Sequence, residues 1–252
     1  MRAPLYALVL AGVLAIAPAR AENPESCAVP SYLLTTEATL AKTAETVKAR
    51  QPLDILVVGT RSSSLSGPDG PSASYPARMV DALREKLPGV TINLATDIHP
   101  KQITAEVSGG LQKLVEERKP TLVVWQTGTV DAMRSIDPDD FRLALDEGIG
   151  ALQKSGADVI LMNLQYSPRT ETILSASPYN DTMRVVAQEW HAPLFDRFNI
   201  MRHWNETGDF DLFGAVHGFG MAKRVHDCIG RALAKLVIEA AHINPAELGT
   251  QR

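Results

Sequence analysis

The sequence predicts an α/β fold, a three-layer α/β/α domain around a parallel sheet of about five strands. Two observations carry this. Short β-branched runs alternate along the chain with longer segments whose apolar residues recur at helical spacing. The short runs are apolar at consecutive positions, as expected of strands covered by helices on both faces. The 252 residues are 45% hydrophobic and 21% charged, which is enough apolar side chain for one ordinary globular core.

Taken in order, residues 1–21 read as a secretory signal. Arg2 supplies the positive start, residues 5–17 the apolar centre, and Ala19-Arg20-Ala21 a small-x-small cleavage site. The apolar centre falls short of the about 20 residues a spanning helix needs, so no stable membrane anchor is expected. Residues 22–32 carry Pro24 and Pro30 with little periodicity and read as an arm. Residues 33–50 space Leu34, Ala38, Ala41, Val47 and Ala49 for a helix, which Gln51-Pro52 ends. Residues 22–50 are thus an amino-terminal arm and helix, and 51–245 the domain proper.

Strands are expected at 53–58, 90–95, 121–125, 157–164 and 193–195. Helices are expected at 75–87, 103–117, from the Asp137-Pro138 cap to about 155, and at 180–190, 199–204 and 221–241. Pro88-Gly89 and Lys119-Pro120 stop two of these helices. No second linker or internal repeat divides the domain.

The net charge of -4 leaves no electrostatic footprint for nucleic acid. Export changes the meaning of Cys27 and Cys228, the chain's only cysteines. An oxidising compartment lets them pair, and closing so long a loop is worth about 4–5 kcal/mol in the chain-entropy model. Two free buried thiols are the alternative. Neither cysteine has a neighbour at ligand spacing and no paired-histidine helix motif occurs, so no metal is implied.

In an open α/β sheet the carboxyl ends of the strands carry the chemistry. After the first strand comes Gly59-Thr60-Arg61-Ser62-Ser63-Ser64. After the second come Thr96, Asp97 and His99. Gln126, Thr127, Thr129 and Asp131 follow the third, and Asn163, Gln165 and Tyr166 the fourth. Asp209 through His217 precede the last helix. Ser, His and Asp on separate loops are what nucleophilic acyl transfer needs: a hydroxyl, a base, and a carboxylate to orient the base. The plainer reading of Ser62 to Ser66 is a flexible turn. His217, on a glycine-bearing loop, is the first candidate base and His99 the second. His191, His203, His226 and His242 read as surface or capping residues.

At these residues the chain resembles the SGNH (GDSL-like) hydrolases. Val57-Val58-Gly59-Thr60-Arg61-Ser62 is similar to that family's Gly-Asp-Ser-Leu block, and Tyr75-Pro76-Ala77-Arg78-Met79 to its following helix. Trp125 through Asp131 resembles its Gly-x-Asn-Asp block, with Gly128 and Asp131 matching. Gly214-Ala215-Val216-His217 resembles its Asp-x-x-His block. The resemblance implies a flavodoxin-like sheet of order 2-1-3-4-5, a serine esterase or lipase activity, and no cofactor. It implies Ser62 as nucleophile, His217 as base and Asp211 as orienting acid. Gly59, Gln126, Gly128, Thr129 and Asp131 would be oxyanion or substrate contacts.

The departures are specific. Ser62 comes one residue late, and an ungapped match puts Arg61 at the nucleophile position. Thr96-Asp97-Ile98-His99-Pro100 offers no counterpart to the second-block oxyanion glycine. Val130 stands at the asparagine position, and Gly214 stands three residues before the histidine where the family has aspartate. The expectation is an exported ester hydrolase acting on small or carbohydrate-borne esters. The alternative is a catalytically impaired binding module for carbohydrate or a partner on the same fold. A phosphate-binding flavodoxin-like protein fits poorly, since the Gly59 loop lacks a glycine pattern for cradling phosphate. The sequence does not give the oligomeric state.

Overall fold

The computed structural model describes residues 27–213 and 218–249. The leader, Gly214 and His217 lie outside the described residues. In chain order the elements are α1 (Ala41–Lys48), β1 (Leu53–Gly59), α2 (Gly70–Ala73), α3 (Tyr75–Lys86), β2 (Ile92–Ile98), α4 (Thr104–Arg118), β3 (Leu122–Gln126), α5 (Thr129–Met133), α6 (Pro138–Lys154), β4 (Asp158–Met162), α7 (Pro168–Glu171), α8 (Ser177–Glu189), β5 (Leu194–Phe195), α9 (Arg197–Glu206), α10 (Gly218–Ala240) and α11 (Pro245–Gly249).

The five strands form one parallel sheet in the order β2-β1-β3-β4-β5. This is the expected flavodoxin-like order. Leu56, Val57 and Val58 of β1, Val123 and Val124 of β3, and Ile160 and Leu161 of β4 are buried, which is what helices on both faces require. The helices pack in two groups, α3 against α10, and α4, α6 and α8 in series. The chain leaves β1 toward β2 on one side and returns to β3 on the other. Strand order therefore reverses between β1 and β3, and a crevice opens there at their carboxyl ends.

Several boundaries differ from the sequence expectation. The helix expected at 33–50 is only α1, preceded by a 3-10 turn at Ser31–Leu33. Hydroxyls win locally over helix there. Thr35 Oγ1 donates to the Ser31 carbonyl at 2.9 Å, and Thr36 Oγ1 accepts from the Ala38 N–H at 3.1 Å. The Leu40 N–H is used on the Ala240 carbonyl at 2.9 Å, tying the arm to the end of α10. The second strand runs to Ile98, three residues past the expectation, because it pairs with β1 as far as Gly59. Thr96 and Asp97 thus lie within β2. As an edge strand it is half-exposed along most of its length, so it is not apolar on both faces.

Caps do what the sequence suggested. The Asp137 side chain accepts from the Asp139 N–H at 2.9 Å ahead of Pro138 at the start of α6. Lys119, at φ 46°, ends α4 in the left-handed region before Pro120. No helix among the described residues is long and apolar enough to cross a membrane.

Cys27 and Cys228 are bonded, with Cα atoms 5.2 Å apart and a sequence separation of 201. The bridge fastens the arm to α10. Trp204, buried on α9, holds the same arm by donating from Nε1 to the Ala28 carbonyl at 2.9 Å. Reducing the bridge, or Cys228→Ser, is expected to lower unfolding free energy by about 2–5 kcal/mol. The check is a urea titration with and without reductant, and coincident midpoints would refute it.

Candidate active site

The crevice between β1 and β3 holds a cluster of polar side chains built around one carbonyl. Gln126 is the last residue of β3, one step beyond the Val58–Trp125 pair, and is buried. Its Oε1 accepts from the Thr60 N–H, Thr60 Oγ1 and Ser63 Oγ, each at 2.9 Å, and Ser62 Oγ lies 3.3 Å away. The Thr60 N–H can only donate, so it fixes the amide with oxygen toward the turn. An amide oxygen has two lone pairs, so the three hydroxyls share what that N–H leaves. The Ser63 hydroxyl also meets the Tyr75 hydroxyl at 2.8 Å.

These bonds shape the 3-10 turn Arg61–Ser63 that follows β1. Gly59 makes it possible. A Cβ there would meet Ser63 Oγ at 2.2 Å and Gln126 Oε1 at 3.3 Å. Of the three serines, Ser63 is buried, whereas Ser62 is half-buried. Ser64 is half-buried and accepts from Arg61 Nη1 at 2.9 Å.

Ser62 Oγ accepts a hydrogen bond from Arg197 Nη1 at 3.2 Å. Arg197 opens α9 and is 1% exposed. Its position is set by a network at the ends of β4 and β5. Asn163 Nδ2 donates to Asp196 Oδ1 at 2.7 Å, Asn163 Oδ1 accepts from the Phe198 N–H at 3.0 Å, and Asp196 caps Asn199. Burial pulls the guanidinium down to about 10, which leaves it charged at neutral pH. Burial pushes the Tyr75 phenol up, partly offset by the Arg197 charge.

His226 supplies the first N–H acceptor for α3. Its Nδ1 accepts from the Tyr75 N–H at 3.0 Å. The ring is therefore a cap, as the sequence suggested, and an acceptor at Nδ1. Burial, with the Arg197 charge adding to it, pushes its imidazole down from the usual 6.5 to about 4.

The other sequence candidates sit as follows. Asp131 is buried and accepts from the Thr104 N–H and Thr104 Oγ1, both at 2.9 Å, at the start of α4. Thr127 Oγ1 meets that same Thr104 hydroxyl at 2.6 Å. Burial pushes the Asp131 carboxyl up. Gly128 has φ 88°, and a Cβ there would meet Leu164 Cδ1 at 2.6 Å. Thr129 Oγ1 is buried with no hydrogen-bond partner. Asp211 is exposed, and its Oδ1 accepts from the Phe213 N–H at 3.1 Å. Asp209 Oδ2 accepts from Thr207 Oγ1 at 3.0 Å. His99 Nε2 meets Asp97 Oδ2 at 2.7 Å, and the His99 backbone N–H donates to the Gly59 carbonyl at 2.8 Å, so this half-exposed pair stands beside the turn. Gln126 thus reaches Ser62, and Gly59 packs against Ser63 and Gln126, whereas Asp131 is committed to Thr104.

Sequence reasoning missed Arg197, placed Tyr75 only in the following helix, and did not separate Ser63 from Ser62. Arg197 had a signal, since Asp196-Arg197 follows the fifth strand at the same sheet edge. No cluster of His, Cys, Asp and Glu among the described residues is arranged to hold a metal.

Residues 26–243 match the non-GDSL lipase-like family. No curated protein sequence matches the chain. Among solved structures, TesA is similar at TM-score 0.58 and 22% identity, over 74% of this chain and 99% of that one. A catalytic mutant of Axe2, an acetylxylan esterase from Geobacillus stearothermophilus, is similar at TM-score 0.59 and 16% identity, over 73% and 94%. The psychrotrophic esterase EstA from Pseudoalteromonas sp., inhibited by monoethylphosphonate, is similar at TM-score 0.56 and 18% identity, over 73% and 95%. These likenesses establish a shared fold.

The His226 shift gives stability a pH dependence. As pH falls below about 6.5, the unfolded chain takes up a proton that the folded protein refuses until about 4. Stability is complete above that window and is lost on descending through it. The loss is at most about 3 kcal/mol, less where solvent reaches the half-buried ring. His226→Asn, which keeps an acceptor for the Tyr75 N–H without titrating, is expected to flatten the fall of the urea midpoint between those pH values. An unchanged slope would assign it to other groups.

Proposed function

The chain belongs to the non-GDSL lipase-like family, and from that premise we propose that it is a serine ester hydrolase with Ser62 as nucleophile. The observation that carries this is the hydroxyl's position. Ser62 Oγ is half-buried at the crevice where strand order reverses, and it is held by Gln126 and Arg197. An ordinary flexible turn would not need a buried amide to receive its N–H and hydroxyls.

In the reaction Ser62 Oγ attacks the ester carbonyl carbon. Its proton passes to the His217 imidazole, with Asp211 as the orienting acid. The carbonyl electron pair moves to oxygen, and the tetrahedral intermediate collapses. The C–O bond to the alcohol breaks, and the imidazolium protonates the departing alkoxide. Water then repeats the sequence on the acyl-enzyme. The Thr129 hydroxyl is sealed from solvent, so Thr129 serves behind the strand-end loop rather than by touching the carbonyl oxygen, with Gly128 giving the backbone room to turn there. Gly59 and Gln126 serve by shaping the nucleophile's turn. Asp131, committed to Thr104, serves by anchoring α4 beside the site.

The substrate class is small or carbohydrate-borne esters, with no cofactor. We place the protein outside the cytoplasm, on the leader-like residues 1–21 together with the Cys27–Cys228 bridge.

The test is covalent labelling of the mature protein by a fluorophosphonate probe, with the modified residue mapped. The label is expected on Ser62. Ser62→Ala is expected to abolish both labelling and hydrolysis of a short-chain ester at unchanged melting temperature. A probe that leaves the folded protein unmodified would turn the reading to the impaired binding module. Separately, Asp211→Asn is expected to lower turnover by up to about 10⁴-fold through loss of the correct imidazole tautomer. Full turnover in that variant would move the orienting role to another acid.

A further inference from the structure

We propose that Arg197 is a catalytic residue of this site, a buried guanidinium whose hydrogen bond stabilises negative charge on the Ser62 oxygen. The inference rests on the reading of Ser62 as nucleophile.

Charged side chains are almost never fully buried unless paired, because taking an ion out of water costs several kcal/mol. Arg197 is 1% exposed, and among the described residues no carboxylate pairs with it. Its Nε and Nη2 are buried with no hydrogen-bond partner. Only Nη1 has one, Ser62 Oγ at 3.2 Å. Because the other two nitrogens are sealed from solvent, an anionic group on a ligand cannot reach them without rearrangement. The charge acts on the crevice through Ser62. The titratable groups that feel it are Tyr75 of α3 and His226 of α10, and both are neutral at pH 7. Neither neutralises the guanidinium. The missing counter-charge is therefore the one that the reaction creates.

That charge arises twice. In acylation the Ser62 proton leaves to the base while the Oγ–C bond forms, and density on Oγ peaks as the proton departs. In deacylation water adds to the acyl carbon and gives its proton to the base. The C–Oγ bond then breaks, its electron pair goes to Oγ, and Oγ takes the proton back. A fixed cationic donor on Oγ favours both steps without reorganising, which is how preorganised donors lower barriers.

The test uses the mature full chain and two variants. Arg197→Met is expected to slow fluorophosphonate labelling of Ser62 and ester turnover by about 10²–10³-fold. Its melting temperature is expected to hold or rise, since an unpaired buried charge gives way to an apolar chain. Arg197→Lys keeps a cation in place. Its labelling rate is expected to lie between wild type and Arg197→Met near neutral pH. It should then fall at mildly alkaline pH, below about 10, where a buried ammonium loses its proton and the wild-type guanidinium still holds its own. A melting temperature that drops in Arg197→Met, with activity lost only in proportion to the unfolded fraction, would make the residue structural and overturn the proposal. So would labelling of Arg197→Met at the wild-type rate while wild type carries the label on Ser62; this leaves the hydrolase reading standing. A wild-type protein that takes no label overturns both.

Discussion

The site hangs on the carbonyl oxygen of one buried amide. Gln126 terminates β3, and its Oε1 receives the Thr60 N–H and the hydroxyls of Thr60 and Ser63 from the turn that terminates β1. A buried N–H without a partner costs about 1–3 kcal/mol, so the turn cannot relax away from Gln126 without penalty. The parallel register sets where these two strands end relative to one another. The amide converts that register into the position of one hydroxyl. A side chain one methylene shorter would leave the Thr60 N–H short of its acceptor, and one without a carbonyl would leave it bare.

The same economy explains why the cluster is polar yet buried. Its members satisfy each other in a chain from Tyr75 through Ser63 to Gln126 and Thr60. Arg197 breaks the pattern by remaining under-satisfied. Proteins hold such groups at some cost to stability, and the cost falls where function needs an electrostatic field that water would screen.

Much of the fold was legible because its signals are repetitive. The buried runs at β1, β3 and β4 and the helical spacing of α3, α6 and α8 are each stated several times over in the sequence. Boundaries were less legible where a single tertiary contact decides them. β2 extends because Gly59 pairs with Ile98, and the arm resists helix because local hydroxyls and the Ala240 carbonyl take its groups. In the site, Ser62, Gly59 and Gln126 could be found as strand-end residues. Ser63 and Ser62 could not be told apart, since their difference is burial imposed by Tyr75. Arg197 was passed over because a charged residue at a helix start is ordinarily solvated, and nothing local says that this one is enclosed. His217 rests on the sequence alone.

The Cys27–Cys228 bridge also orders events in time. It joins the first described residue to a position 201 residues later. At synthesis rates of about 5–20 residues per second, Cys27 waits roughly 10–40 s before its partner exists. No shorter native pairing is open to it, for the chain has only these two cysteines. Nascent fragments therefore carry one lone thiol, and their only disulfide option is with another molecule. Closure works as a checkpoint on synthesis: a chain stopped before Cys228 cannot acquire it, and only chains that pass that residue have the amino-terminal arm fastened to α10.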